Sequence, residues 1–546
     1  MSWVQNLLYF IVGVAIASFG FINIQLLQLK FSQRPALWEK LDAVCPPPEY
    51  CPPTFALNVA SSIIFTRKFA NEGYRKFSKA LDRPFALLTP WVRGSTVIVL
   101  PPSKIPLLTR SDKTKDGQWT NLHGLVETTQ LAYVIPDSNI YENVLHFDVV
   151  RRKMMAPEDI SRLAPVIADE IKLSFREQWG TENEWKSING WDGCGKIIAR
   201  AAQRILIGLP LSRNESMLET SRQYATSLLV GGAIINCFPP SIRWVVAPLI
   251  SLRARHFQAR YVKMLLPLVE ERLLTRLAEK GGEQVPEEVP DDFLQWMLPI
   301  CAKNKDPAQN QLDAHRIALR LASLLTPLIF AVCYVFAHCV VDIHSSNARA
   351  NILAGLEEEC SRVSAQYGGL TTSASVDALK RVDSVLRESM RISDVSVTNI
   401  FRDVTAGEVD IGNGIRVGPG VRMVFPTQDI HLDPDNYEDP MRFDAFRFSR
   451  SFENEYEYKH QGSKNRAEER DSERELITTT TPTFLPFGYG RHACPGRWFA
   501  AQVMKQALAY LVLNYDVELI GPPPKRRALL NMMVPPVGVQ IRMRRK

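Results

Sequence analysis

The sequence predicts a mainly α fold, an α+β body with small sheets, preceded by one apolar transmembrane helix. Three observations carry this. The 546 residues are 46% hydrophobic and 23% charged, enough to bury a sizeable core and too ordered a balance for intrinsic disorder or a disulfide mini-scaffold. The stretch from about Ala156 to Met390 has a helical pattern almost throughout, whereas β-branched runs are short and lie toward the two ends. The first 29 residues carry no charge. The formal net charge of +7 is mild and dispersed, so nucleic acid is not an expected partner. The nine cysteines include no C-x-x-C pair, which disfavours a zinc module and suits reduced thiols facing the cytosol.

Taken in order, Leu7 to Leu27 is long and apolar enough to cross a bilayer, and Lys30, Arg34 and Lys40 follow it. Basic residues after the span and none before it place the amino end in the lumen and the rest in the cytosol. A cleaved signal peptide is the competing reading, but a basic n-region and a small-residue cleavage site are missing. Residues 1–29 are therefore expected to be a membrane anchor, and 30–54 a linker. The Pro-rich run Cys45 to Pro53 is expected to be extended and stiff, not helical. The body occupies 55–546. Asn71 to Ala80 reads as helix and Ser95 to Leu100 as a strand stopped by Pro101-Pro102. Helices are expected at 158–178, 196–208, 246–280, 291–303, 311–343 and 374–391. Strands return at Val395 to Val404, Ile415 to Pro426, Tyr515 to Ile520 and Val537 to Met543, giving a minor sheet built from both chain ends. Residues 452–482, highly charged and then threonine-rich, read as a solvated surface insertion.

A second uncharged run, Leu321 to Val341, has the length of a second membrane span. Pro327 interrupts it, His338 sits in it and Asp342 follows it, which favours a helix hidden inside a large protein.

The most informative segment is Phe487-Gly488-Tyr489-Gly490-Arg491-His492-Ala493-Cys494-Pro495-Gly496, followed by a helical stretch from Arg497. Glycines on both sides of the cysteine allow close backbone approach to a flat ligand, the turn can aim N–H groups at sulfur, and a helix start favours a thiolate. This segment resembles the haem-binding loop of the cytochrome P450 superfamily, F-x-x-G-x-R-x-C-x-G, with His492 where arginine is usual. That replacement is similar to filamentous-fungal members.

The resemblance implies a haem-thiolate catalytic domain over 55–546, with haem b on the Cys494 thiolate as axial iron ligand. It also implies that Phe487 packs near the sulfur, that Gly488, Gly490 and Gly496 shape the loop, and that His492 bonds a haem propionate. Arg151 and Arg402 are further propionate candidates, each equally readable as surface charge. Glu388 and Arg391 lie one helical turn apart, and the later Phe443-Asp444-Ala445-Phe446-Arg447-Phe448 resembles the family's partner segment, so Glu388, Arg391 and Arg447 are implied to form a structural triad. Glu359-Cys360-Ser361-Arg362 has the same spacing and no such partner. Three further segments, Gly73 to Ser78, Asp291 to Trp296 and Val534-Pro535-Pro536, also look like fungal members.

In the family the central helix normally carries an acid or histidine followed by threonine, which relay protons. Here that site falls at Phe330-Ala331-Val332, which holds neither; Thr326 and Ser323 could substitute only if the register is one turn out. Pro327 frees the Ser323 carbonyl, or merely kinks a packed helix. The implied function is oxidation of a lipophilic secondary-metabolite intermediate, terpenoid, polyketide or alkaloid, with dioxygen and NADPH electrons from an NADPH-cytochrome P450 reductase. A haem-dependent rearrangement or cyclisation without oxygenation is the alternative suggested by the missing relay, and a membrane-tethered haem sensor is a third reading. The implied location is the endoplasmic reticulum membrane, single-pass, with the catalytic domain in the cytosol. Arg491, Arg497 and Lys505 are candidates for a basic reductase-facing surface, and Leu328 to Val332 with Asn531 to Val534 for the pocket wall.

Overall fold

The structure is a computed structural model that describes Leu37 and residues 40–45, 52–92, 95–109, 112–113, 117–238, 240–282, 289–303, 311–453 and 476–546. The expected anchor at 1–29, most of the linker and the charged run 454–475 lie outside the described residues. The linker expectation is corrected at its end: a helix spans Pro52–Gly73. Proline suits the first helical turn because the N–H it lacks would have no partner there.

Both chain ends build the larger sheet. Its six strands run in the order Asp42–Ala43, Phe85–Leu88, Thr96–Val99, Arg422–Phe425, Asn399–Gly407 and Gly117–Thr120. Ile98 and Val99 pair in parallel with Met423 and Val424, so residues more than 300 positions apart share one buried ladder. A three-stranded sheet joins Tyr515–Ile520, Gln540–Arg545 and Lys186–Asn189. The last of these was not legible: Lys186-Ser187-Ile188-Asn189 has no alternation of its own, and pairing with 540–543 makes it a strand.

Helices Pro157–Gln178, Gly190–Ile207, Arg497–Asn514 and the central helix Ala314–Ser345 pack together as the core. The helix Glu215–Asn236 lies within the stretch that reads as helical, but outside the segments expected as helices there. Gly232 is there for packing: a Cβ on it would stand 2.8 Å from the carbonyl oxygen of Thr129. The expected helix 246–280 is two, Arg243–Ile250 and Leu252–Gly281.

The central helix starts at the Asp313 cap, whose carboxylate accepts from the Arg316 N–H at 2.8 Å. It is long and apolar enough for a membrane, yet it is buried within the protein. A wider turn, Thr326–Ala331, interrupts it at Pro327.

Two expectations about the surface change. Lys505 is buried and pairs with Asp383 at 3.1 Å, so it is not part of any exposed basic face. Residues 476–482 do not belong to a solvated insertion: Ile477 is buried, and its N–H donates to Asp383 at 2.7 Å. Arg387 donates to the Leu476 carbonyl. The threonines looked solvated, but these two buried charges need partners and hold that segment down. Asp383→Ala would strand the Lys505 ammonium in the core and is expected to cost about 3–5 kcal/mol. Urea unfolding of the full chain checks this.

Candidate functional site

The site is built from a loop folded tightly on itself. The N–H of Cys494 donates to the Phe487 carbonyl at 2.7 Å, closing the segment 487–494. Gly488 and Gly490 both take positive φ, 74° and 70°. At Gly490 glycine is doubly required, since a Cβ would lie 2.6 Å from the Leu108 carbonyl oxygen. The loop passes into the helix Arg497–Asn514, which opens just beyond Gly496.

Cys494 is half-buried. Burial raises its thiol pKa, and the N–H of Gly496, the Arg497 guanidinium and the Arg497 N–H pull the other way. N–H groups aimed at sulfur, beside a cation, favour the thiolate once a metal binds it. Arg497 also clamps the loop, donating to the Cys494 carbonyl at 2.8 Å and to the Thr478 carbonyl at 3.0 Å while stacking on Trp498. It is therefore a poor candidate for a free surface charge; Arg491 stays exposed.

His492 stands with Nε2 2.7 and 2.8 Å from the two carboxylate oxygens of Asp112. Nothing in the sequence pointed to Asp112, which lies 380 residues away. Arg402 is 2% exposed; Nη1 donates to the Phe401 carbonyl, while Nε and Nη2 are buried without an acceptor among the described residues. Burial lowers its pKa to about 10 against the pull of Asp112. A buried cation with two unused donors calls for an anion, and a haem propionate fits. Arg151 is placed differently: at the exposed end of the helix Leu145–Lys153, it pairs with Asp148 at 2.9 Å.

Glu388, Arg391 and Arg447 are brought together. Both Glu388 oxygens accept from Arg391 at 2.8 Å, and Arg447 Nε lies 3.2 and 3.3 Å from them. The look-alike Glu359 instead accepts the N–H groups of Arg381 and Val382, in the first turn of the helix Lys380–Ile392.

On the central helix, Phe330 packs edge-on against Trp191 with ring centres 5.2 Å apart, and Val332 is buried. Of the expected relay positions only Ala331 is open. The wide turn Thr326–Ala331 runs into this site from its N-terminal side. Thr326 is buried, its hydroxyl without a partner among the described residues, and Ser323 Oγ lies 3.3 Å from His146 Nε2. Asn531, expected in a pocket wall, is a stitch: its side chain accepts from the N–H and hydroxyl of Thr398 at 2.7 and 2.8 Å.

Gly490→Ala combines a positive φ with a backbone clash and is expected to destabilise the protein by about 1–3 kcal/mol. Urea unfolding, compared with Gly488→Ala as the variant lacking the clash, measures the difference.

A family model described as Cytochrome P450 matches residues 348–543, which include both the triad and the cysteine loop. The chain is 33% identical to the cytochrome P450 monooxygenase gloP of Glarea lozoyensis over 493 residues, 88% of this chain and 86% of that protein. It is 33% identical over 478 residues to the cytochrome P450 monooxygenase htyF of Aspergillus rugulosus, covering 86% of this chain and 66% of that one. To the cytochrome P450 monooxygenase okaG of Penicillium ochrochloron it is 28% identical over 477 residues, 86% of this chain and 87% of that protein. A cysteine loop shaped for a thiolate ligand, and likeness over most of the length of these fungal enzymes, mean that the chain belongs to the cytochrome P450 family of haem-thiolate monooxygenases.

Proposed function

We propose that this protein is a membrane-anchored monooxygenase that oxidises a lipophilic secondary-metabolite intermediate, a terpenoid, polyketide or alkaloid. Its electrons come from NADPH through an NADPH-cytochrome P450 reductase, and its cofactor is haem b. The observation that carries this is the half-buried Cys494 thiol, with N–H groups from Gly496 and Arg497 directed at its sulfur.

When bound, the haem supplies dioxygen activation, and the thiolate donates electron density that favours O–O cleavage. Cys494 would hold the iron, the Gly496 and Arg497 amides would spread the thiolate charge, and Arg402, whose Nε and Nη2 have no acceptor among the described residues, would donate to a propionate. His492 keeps Asp112 beside that cation. On the substrate side, Pro327, Leu328 and Ala331 offer an apolar wall that excludes water from a greasy substrate.

Two features support membrane attachment. The uncharged run Leu7 to Leu27 is a candidate span. Trp244, Val245, Leu249 and Leu252 are exposed large apolar residues close together in sequence, Trp244 at 73%, and they suit the bilayer interface at the endoplasmic reticulum.

Cys494→Ser is expected to abolish the thiolate-type absorbance of the reduced, carbon-monoxide-bound protein; an unchanged spectrum removes Cys494 as ligand. Membranes carrying the protein and its reductase, fed the intermediate that accumulates on gene deletion under heavy-isotope dioxygen, are expected to yield labelled product. An unlabelled isomer formed without NADPH would replace oxygenation by haem-dependent rearrangement.

A further inference from the structure

From Ile317 to His344 every residue of the central helix is buried except Ser323, Pro327, Leu328 and Ala331. The wide turn Thr326–Ala331 adds a residue to the local period, so Ser323, Pro327 and Ala331, four apart, fall into one line. Three of the four open side chains are apolar. Ser323 brings the one hydroxyl.

Its orientation is over-determined. Ser323 Oγ donates to the Arg320 carbonyl at 2.7 Å, and His146 Nε2 lies 3.3 Å from the same oxygen. His146 is buried, and burial with the nearby Arg320 charge lowers its pKa to about 3, so the ring is neutral. Arg320 Nη1 lies 3.5 Å from His146 Nδ1. Since a guanidinium only donates, Nδ1 is the acceptor nitrogen and Nε2 carries the proton toward Ser323. Arg320 is itself fixed, with Nη1 bonded to the Asn143 carbonyl at 2.5 Å and Nη2 to Asn139 and Gln311 side chains at 2.7 Å. A hydroxyl that already receives one proton and gives away its own has one lone pair left, so it can only accept.

We infer that Ser323 is a specificity-determining residue, an acceptor that takes an O–H or N–H donor on an otherwise apolar substrate, and that His146 is its positioning residue. This rests on the monooxygenase reading, which makes the open face of the central helix a wall of the substrate pocket.

Matched probes test it: cyclododecanol, which carries a donor, and cyclododecane, which does not, each dialysed to equilibrium against the full-length haem-loaded protein. Ser323→Ala is expected to weaken cyclododecanol binding about tenfold, the worth of one hydrogen bond of about 1.4 kcal/mol, and to leave cyclododecane within about twofold. Ser323→Thr is expected to restore the alcohol, and His146→Phe to weaken it with Ser323 intact. Equal losses for both probes, an unchanged alcohol affinity in Ser323→Ala, or no binding of either probe to the unaltered protein overturns the inference. The reduced carbon-monoxide spectrum is expected to persist in Ser323→Ala. With that spectrum intact, failure of the probe test sinks Ser323 alone and leaves the monooxygenase reading standing; loss of the spectrum assigns Ser323 to haem retention and also overturns the inference.

Discussion

The buried ion pair of Glu388 and Arg391, both fully excluded from solvent, is the constraint on which the rest depends. Burying two charges is expensive, and it is tolerable only when nearly every donor and acceptor is used. That need recruits chain from far away. Arg391 donates its remaining N–H groups to the carbonyls of His431 and Pro440 at 2.7 Å and lies over the Tyr437 ring. Glu388 takes Arg447 and the N–H of Asp444 as well. The segment from His431 to Arg447 has little regular structure, and these bonds give it a fixed path.

From that knot the order is handed on to the cysteine. His431 Nε2 accepts the Leu485 N–H at 2.8 Å, and its Nδ1 lies 3.3 Å from the Asp394 carboxylate. On the same helix Arg387 holds the Leu476 and Thr479 carbonyls and stacks 3.9 Å from the Phe484 ring centre. The chain entering the loop is thus pinned at Phe484 and Leu485, and the helix beyond Gly496 pins its exit. Between those points, the glycines let the backbone turn sharply enough to present sulfur and N–H groups on one side. Rigid support for a ligand atom lowers what binding must cost in lost freedom.

The central helix shows the opposite use of a proline. In most helix interiors it would be a defect. Here the distortion lies where the buried helix opens, and it aligns Ser323, Pro327 and Ala331 on one face. Stability and function pull on the same turn.

By itself the sequence determined what is local. The cysteine loop was legible because its message lies in ten adjacent residues, each with a conformational or chemical reason to be there. The buried central helix was legible from uniform apolarity interrupted by Pro327 and His338, and the strand Tyr515–Ile520 from its alternation. Only the tertiary structure decided the pairings of His492 with Asp112, Ser323 with His146 and Lys505 with Asp383, which span 380, 177 and 122 residues. It also decided that Lys186–Asn189 is a strand, that Arg402 is buried while Arg151 is exposed, and that the helix register slips at Thr326–Ala331. The physical reason is common to these cases. Burial and partnership belong to the place where distant segments meet, and a charged or polar side chain reads the same in sequence whether water or a buried counter-charge will satisfy it.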